Sequence, residues 1–170
     1  MGPKWIEGER FERAGTFRVQ AERKDVFPLL CPVREYEWIP DWRCTMMYSD
    51  SGVAEKNALF MTRSRFHRKV MWTTITYEPA SEIEYLLVMG TDATVRLSIS
   101  LQEGDDQGTT IVWRMLFTAV SPLARRVLRA DFSEEKFQAM LGKREKELNR
   151  YFESADLSHA APAASAMSRE

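Results

Sequence analysis

The chain has 170 residues, with 24 Lys and Arg against 25 Asp and Glu and a formal net charge of -1. So even a balance gives no field that would gather nucleic acid or an anionic membrane, which sets polyanion partners aside. The length fits one domain able to hide roughly 70% of the surface of its unfolded chain, enough for a core and a cavity.

Residues 1–10, MGPKWIEGER, read as an N-terminal extension without the apolar stretch of a signal peptide. From Phe11 to Ala21, Phe17, Val19 and Ala21 alternate with Thr16, Arg18 and Gln20, the pattern of a half-buried strand. Lys24 to Leu30 (KDVFPLL) suits a short helix with Pro28 in its first turn, and a second short piece follows through Trp38, stopping before Pro40. The period then becomes that of strands. The expected runs are Arg43–Tyr48, Ala58–Arg65, Lys69–Tyr77, Ile83–Met89, Ala93–Leu101 and Thr109–Ala119, with turn signals SDSG, EPAS, GTD and EGDDQG among them. Short connectors predict an antiparallel meander.

Laying the last three runs together puts Ile83, Ile99 and Trp113 in one row, Tyr85, Leu97 and Met115 in the next, and Leu87, Val95 and Phe117 in a third. A slip by one residue would mix these with Glu84, Arg96, Ser98 and Arg114, so the apolar match selects the register. The reverse face then carries Glu84, Ser98 and Arg114 in one row, read as a surface charge pair, together with Leu86, Val88, Val112 and Leu116, a patch that offers a homodimer or partner contact. After Ser121-Pro122 the period is helical. Phe137, Leu141, Leu148, Tyr151 and Phe152 form an apolar stripe flanked by Met140 and Ala130, opposite Glu134, Glu135, Lys143, Arg144, Glu147 and Arg150, in one helix of roughly six turns. Gly142 interrupts it and suggests a bend or close approach. Residues 154–170, rich in small residues, read as a disordered tail.

Candidate chemistry is sparse. Cys31 and Cys44 fit no CxxC spacing, and two thiols without a leader predict a reducing, cytoplasmic setting. His67 and His159 lack paired ligands, no HExxH occurs, and neither a metal nor a cofactor is expected. No apolar run reaches the roughly 20 residues of a membrane helix, so no membrane insertion is expected. The basic run Arg63, Arg65, His67, Arg68, Lys69 reads as a hairpin tip, alternatively as an anion holder at a pocket mouth. Glu35, Glu37 and Asp41 sit beside the aromatics within LLCPVREYEWIPDW, where a buried carboxylate could act as acid or base, and Arg34 is a local partner for Glu35. Tyr36, Trp38, Trp42, Trp72, Tyr77 and Tyr85 bring apolar area with one polar handle each, suited either to a flat oxygenated ring or to an ordinary core.

One strand, two short helices, six strands and a closing helix, carried by VQAERKDVFPLLCPVREYEWIPDW, GTTIVWRMLFTAVS and LGKREKELNRYF, resemble the START-like (SRPBCC) superfamily, most of all its polyketide cyclase/dehydrase and lipid-transport branch. The resemblance spans residues 11–153. It implies an α+β helix-grip fold, a seven-stranded curved antiparallel sheet with two short helices and one long C-terminal helix over a cavity. By position Tyr85, Leu97, Trp113 and Met115 would be the floor of that cavity, with Trp72 beside them, Phe137, Met140 and Leu141 the lid, and Tyr36, Trp38 and Trp42 the rim. The function so implied is binding of an apolar small molecule, lipid-like, polyketide-like or aromatic. The alternatives are a cyclase, aromatase or dehydratase using the same cavity, or a protein-interaction module. No catalytic residue maps by motif.

Overall fold

The computed structural model describes residues 7–63 and 69–160. Seven strands, β1 (Glu9–Val19), β2 (Cys44–Tyr48), β3 (Leu59–Arg63), β4 (Lys69–Glu78), β5 (Glu82–Met89), β6 (Ala93–Glu103) and β7 (Thr109–Ala119), form one antiparallel sheet in the order β1-β7-β6-β5-β4-β3-β2. Helix α1 (Arg23–Val26) and 3-10 turns at Phe27–Leu30 and Glu35–Glu37 follow β1, and α2 (Pro122–Asp131) and α3 (Glu134–Ala160) follow β7. The fold is α+β, with the long helix last.

The register matches the apolar alignment. Ile83 pairs with Ile99 and Ile99 with Trp113, Tyr85 with Leu97 and Leu97 with Met115, Leu87 with Val95 and Val95 with Phe117. All nine side chains are buried on one face. β1 begins two residues earlier than expected, because it pairs with the whole of β7 from Glu9 opposite Ala119 to Val19 opposite Thr109. In β3, the expected residues 64–65 lie outside the described ones, as do Arg65, His67 and Arg68 of the basic run.

Four expectations need correction. The short helix expected over Lys24–Leu30 is divided, α1 ending at Val26 and a 3-10 turn covering Phe27–Leu30, with Pro28 in the first turn of that second piece as expected, because proline belongs at a helix start. The C-terminal helix is not single. Ser121 caps α2 by accepting from the Ala124 N–H at 3.2 Å, α2 stops at Asp131, and Ser133 opens α3 with Glu134 and Glu135 in its first turn, favourable charges at the positive helix end. Phe132 at the corner packs on Phe117 with centroids 4.7 Å apart, while Arg13 Nε donates to its carbonyl at 2.8 Å. The backbone of α3 stays helical to Ala160, past the residue where the tail was expected to start. Finally, Glu84 is not half of an exposed pair with Arg114. Arg96 (2.8 Å), Ser98 (2.6 Å) and Thr76 (2.6 Å) all donate to it, whereas Arg114 lies 3.7 Å from Glu12. Burial pushes the Glu84 carboxyl up, but those donors outweigh it and hold the group at about 2. Leu86, Val88, Val112 and Leu116 are half-buried on that reverse face.

Helix α3 runs along β1, an edge strand whose free backbone groups would otherwise invite another chain. Arg18 N–H donates to Glu145 Oε1 (3.0 Å), Gln20 N–H to Asn149 Oδ1 (2.9 Å), and Asn149 Nδ2 to the Arg18 carbonyl (2.9 Å). The close approach comes at Gly15, opposite Trp113 in the register, where an added Cβ would lie 2.4 Å from Leu141 Cδ1. Gly142, by contrast, faces open space, so the close approach expected there is absent and nothing in its surroundings requires glycine.

Because Leu141 is buried and would have to repack around the new methyl, Gly15→Ala should destabilise by about 1–3 kcal/mol in denaturant melts. The double change Gly15→Ala, Leu141→Ala should cost less than the sum of the two single changes, since the truncated side chain leaves room for the new methyl. Gly142→Ala should raise stability by about 0.5–1 kcal/mol in the same melts, since only helix propensity changes.

Candidate functional site

Two covers share the concave face. Helix α3 lies over the β1 side, and residues 27–42 lie over the β3–β5 side, tied to the sheet by the Tyr85 hydroxyl and braced within themselves by the two indoles. Trp38 Nε1 donates to the Leu29 carbonyl at 2.7 Å, Tyr85 OH to the Leu30 carbonyl at 2.9 Å, and Trp42 Nε1 to the Pro32 carbonyl at 2.8 Å, which Cys44 Sγ also reaches at 3.4 Å. The rings pack on one another. Phe60 stacks on Trp72 at 5.2 Å, and Tyr85 meets both edge-on at 5.6 and 6.0 Å, while Trp42 meets Trp72 at 6.2 Å.

The expected site residues therefore divide. Trp42, Trp72 and Tyr85 are brought together, with their donors engaged by backbone or, for Trp72, by Thr62 Oγ1 at 2.8 Å. Leu97, Trp113 and Met115 are buried on the concave face; Phe137 and Leu141 are buried on α3, and Met140 is half-buried beside them. Trp38 lies deeper than a rim position, in the core, while Tyr36 is 45% exposed and braces β2 by accepting from the Cys44 N–H at 2.8 Å. Cys31 and Cys44 are free thiols.

The polar atoms left buried without a hydrogen-bond partner include the Trp113 indole N–H and the Thr74 hydroxyl, both on strands of the concave face. An orphaned buried group of this kind costs about 1–3 kcal/mol. Separate from these orphaned atoms, Glu35 is a buried carboxyl residue at 8% exposure. Its backbone coils with its neighbours: Glu35 N–H donates to the Cys31 carbonyl at 2.9 Å and Ile39 N–H to the Glu35 carbonyl at 2.8 Å. This spacing puts Glu35 on the same side as Cys31, Trp38 and Ile39, all buried. Arg34 does not pair with it. The Arg34 guanidinium turns outward and grips Glu37 with two bonds of 2.8 and 2.9 Å, and Tyr151 of α3 donates to the same carboxylate at 2.8 Å.

Arg144 faces Glu35 from α3. Instead of joining the polar side of that helix, Arg144 lies seven residues after Phe137, three after Leu141 and four before Leu148, in the middle of the apolar stripe. Its guanidinium sits 5.8 Å from the Trp38 ring centroid and donates to Glu147 at 2.7 Å. Burial pushes the Glu35 carboxyl up from 4.5 to about 8, and the charge of Arg144 opposes this only in part. Glu35 in turn acts on Tyr85 of β5 and Cys44 of β2, so its carboxyl stands amid sheet, helix and cover segment. Sequence reasoning weighed Glu35 together with Glu37 and Asp41; the phase that separates them is the spacing of Cys31, Glu35, Trp38 and Ile39. Arg144 and Glu147 were missed, although the stripe positions pointed to Arg144.

A groove of about 690 Å³ opens where the two covers part, lined by Gln20, Lys24, Pro28, Leu29, Arg34, Tyr151 and Phe152 among others. None of the expected site residues lines it; its inner wall is Leu29, whose carbonyl holds Trp38, and the Arg34 and Tyr151 side chains joined through Glu37. Among the described residues, no group of three or more His, Cys, Asp or Glu is placed to hold a metal ion, and no helix is long and apolar enough to cross a membrane.

Comparison with solved structures matches this architecture. Truncated norcoclaurine synthase from Thalictrum flavum superposes with a TM-score of 0.64 at 11% identity, over 85% of this chain and 96% of that one. The chain shares the fold of these structures, an α+β helix-grip arrangement. An uncharacterized protein from Rhizobium leguminosarum gives 0.62 at 12% identity, over 85% and 97%. DynU16, a protein in the dynemicin biosynthetic locus, gives 0.57 at 14% identity, over 85% of this chain and 48% of that one. No protein-family model matches the chain, and no curated protein does.

A carboxyl that stays neutral when folded but ionises when unfolded makes stability depend on pH. Between 4.5 and about 8 the native state holds a proton that the unfolded chain releases, so this contribution is complete below 4.5 and is lost as pH rises through 8. Wild-type stability should fall across that window relative to Glu35→Gln, with a limiting slope of about 1.4 kcal/mol per pH unit. Parallel curves for the two proteins, measured by urea melts at each pH, would contradict it.

Proposed function

We propose that the chain binds an apolar small molecule, lipid-like, polyketide-like or aromatic, between the concave face of the sheet and its two covers. One observation carries the reading: an otherwise apolar concave face keeps buried polar atoms, Trp113 Nε1 and Thr74 Oγ1, without partners, and each is a separate place where a polar group of a guest could bond. The START-like fold supports it, since a helix laid over a curved sheet is a common frame for a concave site. The groove beside Leu29 and Phe152 is the route of access, and separation of Tyr151 from Glu37 would widen it. Affinity would come from apolar burial, at about 25 cal/mol per Å² before association costs. The free thiols Cys31 and Cys44 fit a reducing, cytoplasmic setting.

A second reading, a proton-transfer enzyme of the cyclase or dehydratase class, is favoured by Glu35. A carboxyl that titrates near 8 inside a dry site is suited to give a proton to a substrate oxygen or to take one from an acidic carbon.

Nile red, a neutral fluorescent apolar probe, should bind saturably with one site per chain, and native mass spectrometry of the purified protein should show a retained guest that extraction removes. Absence of both saturable probe binding and a retained mass would sink the binding reading.

A further inference from the structure

We infer that the reverse face of strands β2–β5 is a self-complementary interface, on which a second copy of this chain stacks with its strands running the opposite way. This goes beyond the binding reading and does not depend on it, since the guest is placed on the concave face. Among the described residues, three of the six large apolar side chains that stand exposed, Met47, Tyr48 and Met71 at 52%, 60% and 42%, belong to β2 and β4. The register joins two of them to half-buried neighbours: Met71 pairs with Met61 on one side and Val88 on the other, and Tyr48 begins a row that continues through Leu59 and Thr73 to Leu86. Period two puts these rows on the face opposite Phe60 and Tyr85, which are buried on the concave side. Val112 and Leu116 do not extend the patch, because Ser100 and Arg96 stand opposite them. An apolar patch of this breadth on an outer sheet face is the mark of an interaction surface.

Charge chooses the occupant. At one end of the patch Arg63 stands directly opposite Lys69, and at the other Glu78 stands directly opposite Glu82. Like charges facing each other across two strands are destabilising, and the chain keeps one such pair of each sign at the two ends of one strip. Strand β4 carries Lys69 as its first residue and Glu78 as its last, so the strip is positive at one end, negative at the other and apolar between. A two-fold axis that lies in the plane of contact and crosses β4 near Thr73 sets Lys69 and Arg63 of each copy over Glu78 and Glu82 of the other. Both like-charge pairs are then neutralised, and one patch serves both copies, as an isologous dimer requires. Stacking with the strands parallel would set cation on cation, and a surface of one sign, anionic lipid included, would be repelled at one end. An apolar centre with a charged rim is the anatomy of a protein interface, and sheets stack face to face with their strands nearly aligned.

Sedimentation velocity of the purified chain should show a monomer–dimer equilibrium that shifts toward dimer across the micromolar range. Lys69→Glu should raise the dimer dissociation constant roughly ten-fold, the scale of one like-charge contact across an interface. The same change should raise the melting temperature of the dilute monomer, because Arg63 then has an opposite charge as its cross-strand neighbour. Adding Glu78→Lys to Lys69→Glu should return the dissociation constant to within about three-fold of wild type, since the two reversed charges meet across the two-fold axis. Met71→Lys, a change at an exposed position, should abolish the dimer while the monomer still melts cooperatively. Overturning results would be a monomer at every concentration up to about 1 mM, a dimer that neither Lys69→Glu nor Met71→Lys weakens, or a double variant that associates no more tightly than Lys69→Glu alone.

Discussion

Three hydrogen bonds to nearly consecutive carbonyls hold this structure in its working shape. Leu29, Leu30 and Pro32 accept from Trp38, Tyr85 and Trp42, and each donor is the single polar atom of a large ring. Without them the segment between β1 and β2 would be an irregular loop with buried carbonyls, an arrangement that proteins rarely tolerate. With them it becomes a lid whose underside is aromatic. The rings add their own contact, from Trp42 through Trp72 and Phe60 to Tyr85, so the cover and strands β3 to β5 form one packed unit.

The second cover, α3, obeys a different constraint. It lies along β1, whose outer backbone groups it satisfies with Glu145 and Asn149, and Gly15 sets how near it can come. One cover is thus tied to the middle of the sheet and the other to its edge. Where they meet, charge replaces apolar packing: Arg144 over Trp38, Arg34 and Tyr151 on Glu37, and Glu35 beneath. A join built of polar contacts separates at lower cost than a packed core, and low local stability is the property expected of a region that admits ligands.

Glu35 and Glu84 show how environment decides what a carboxyl does. Both are buried, and burial alone pushes both upward. Three donors reverse that for Glu84 and make it an anchor of the convex face; Glu35 has only the partial pull of Arg144 and remains a neutral acid near pH 7. The first stabilises the sheet.

Strand order and register were legible in the sequence because side chains alternate with period two: the rows through Trp113, Met115 and Phe117 allow one apolar alignment, and local turn signals made neighbours in sequence neighbours in space. The break between α2 and α3 was also written there, in Ser133 followed by Glu134 and Glu135, as was the place of Arg144 in the apolar stripe. What tertiary structure alone decided was the partner of each polar atom. Nothing in the spacing of Tyr85 says that its hydroxyl finds Leu30, that Arg34 passes over Glu35 for Glu37, or that the Trp113 indole N–H finds no partner. Burial patterns repeat along the chain and can be read locally. Hydrogen-bond partners are set by how distant segments meet, and they exist only once the chain has closed on itself.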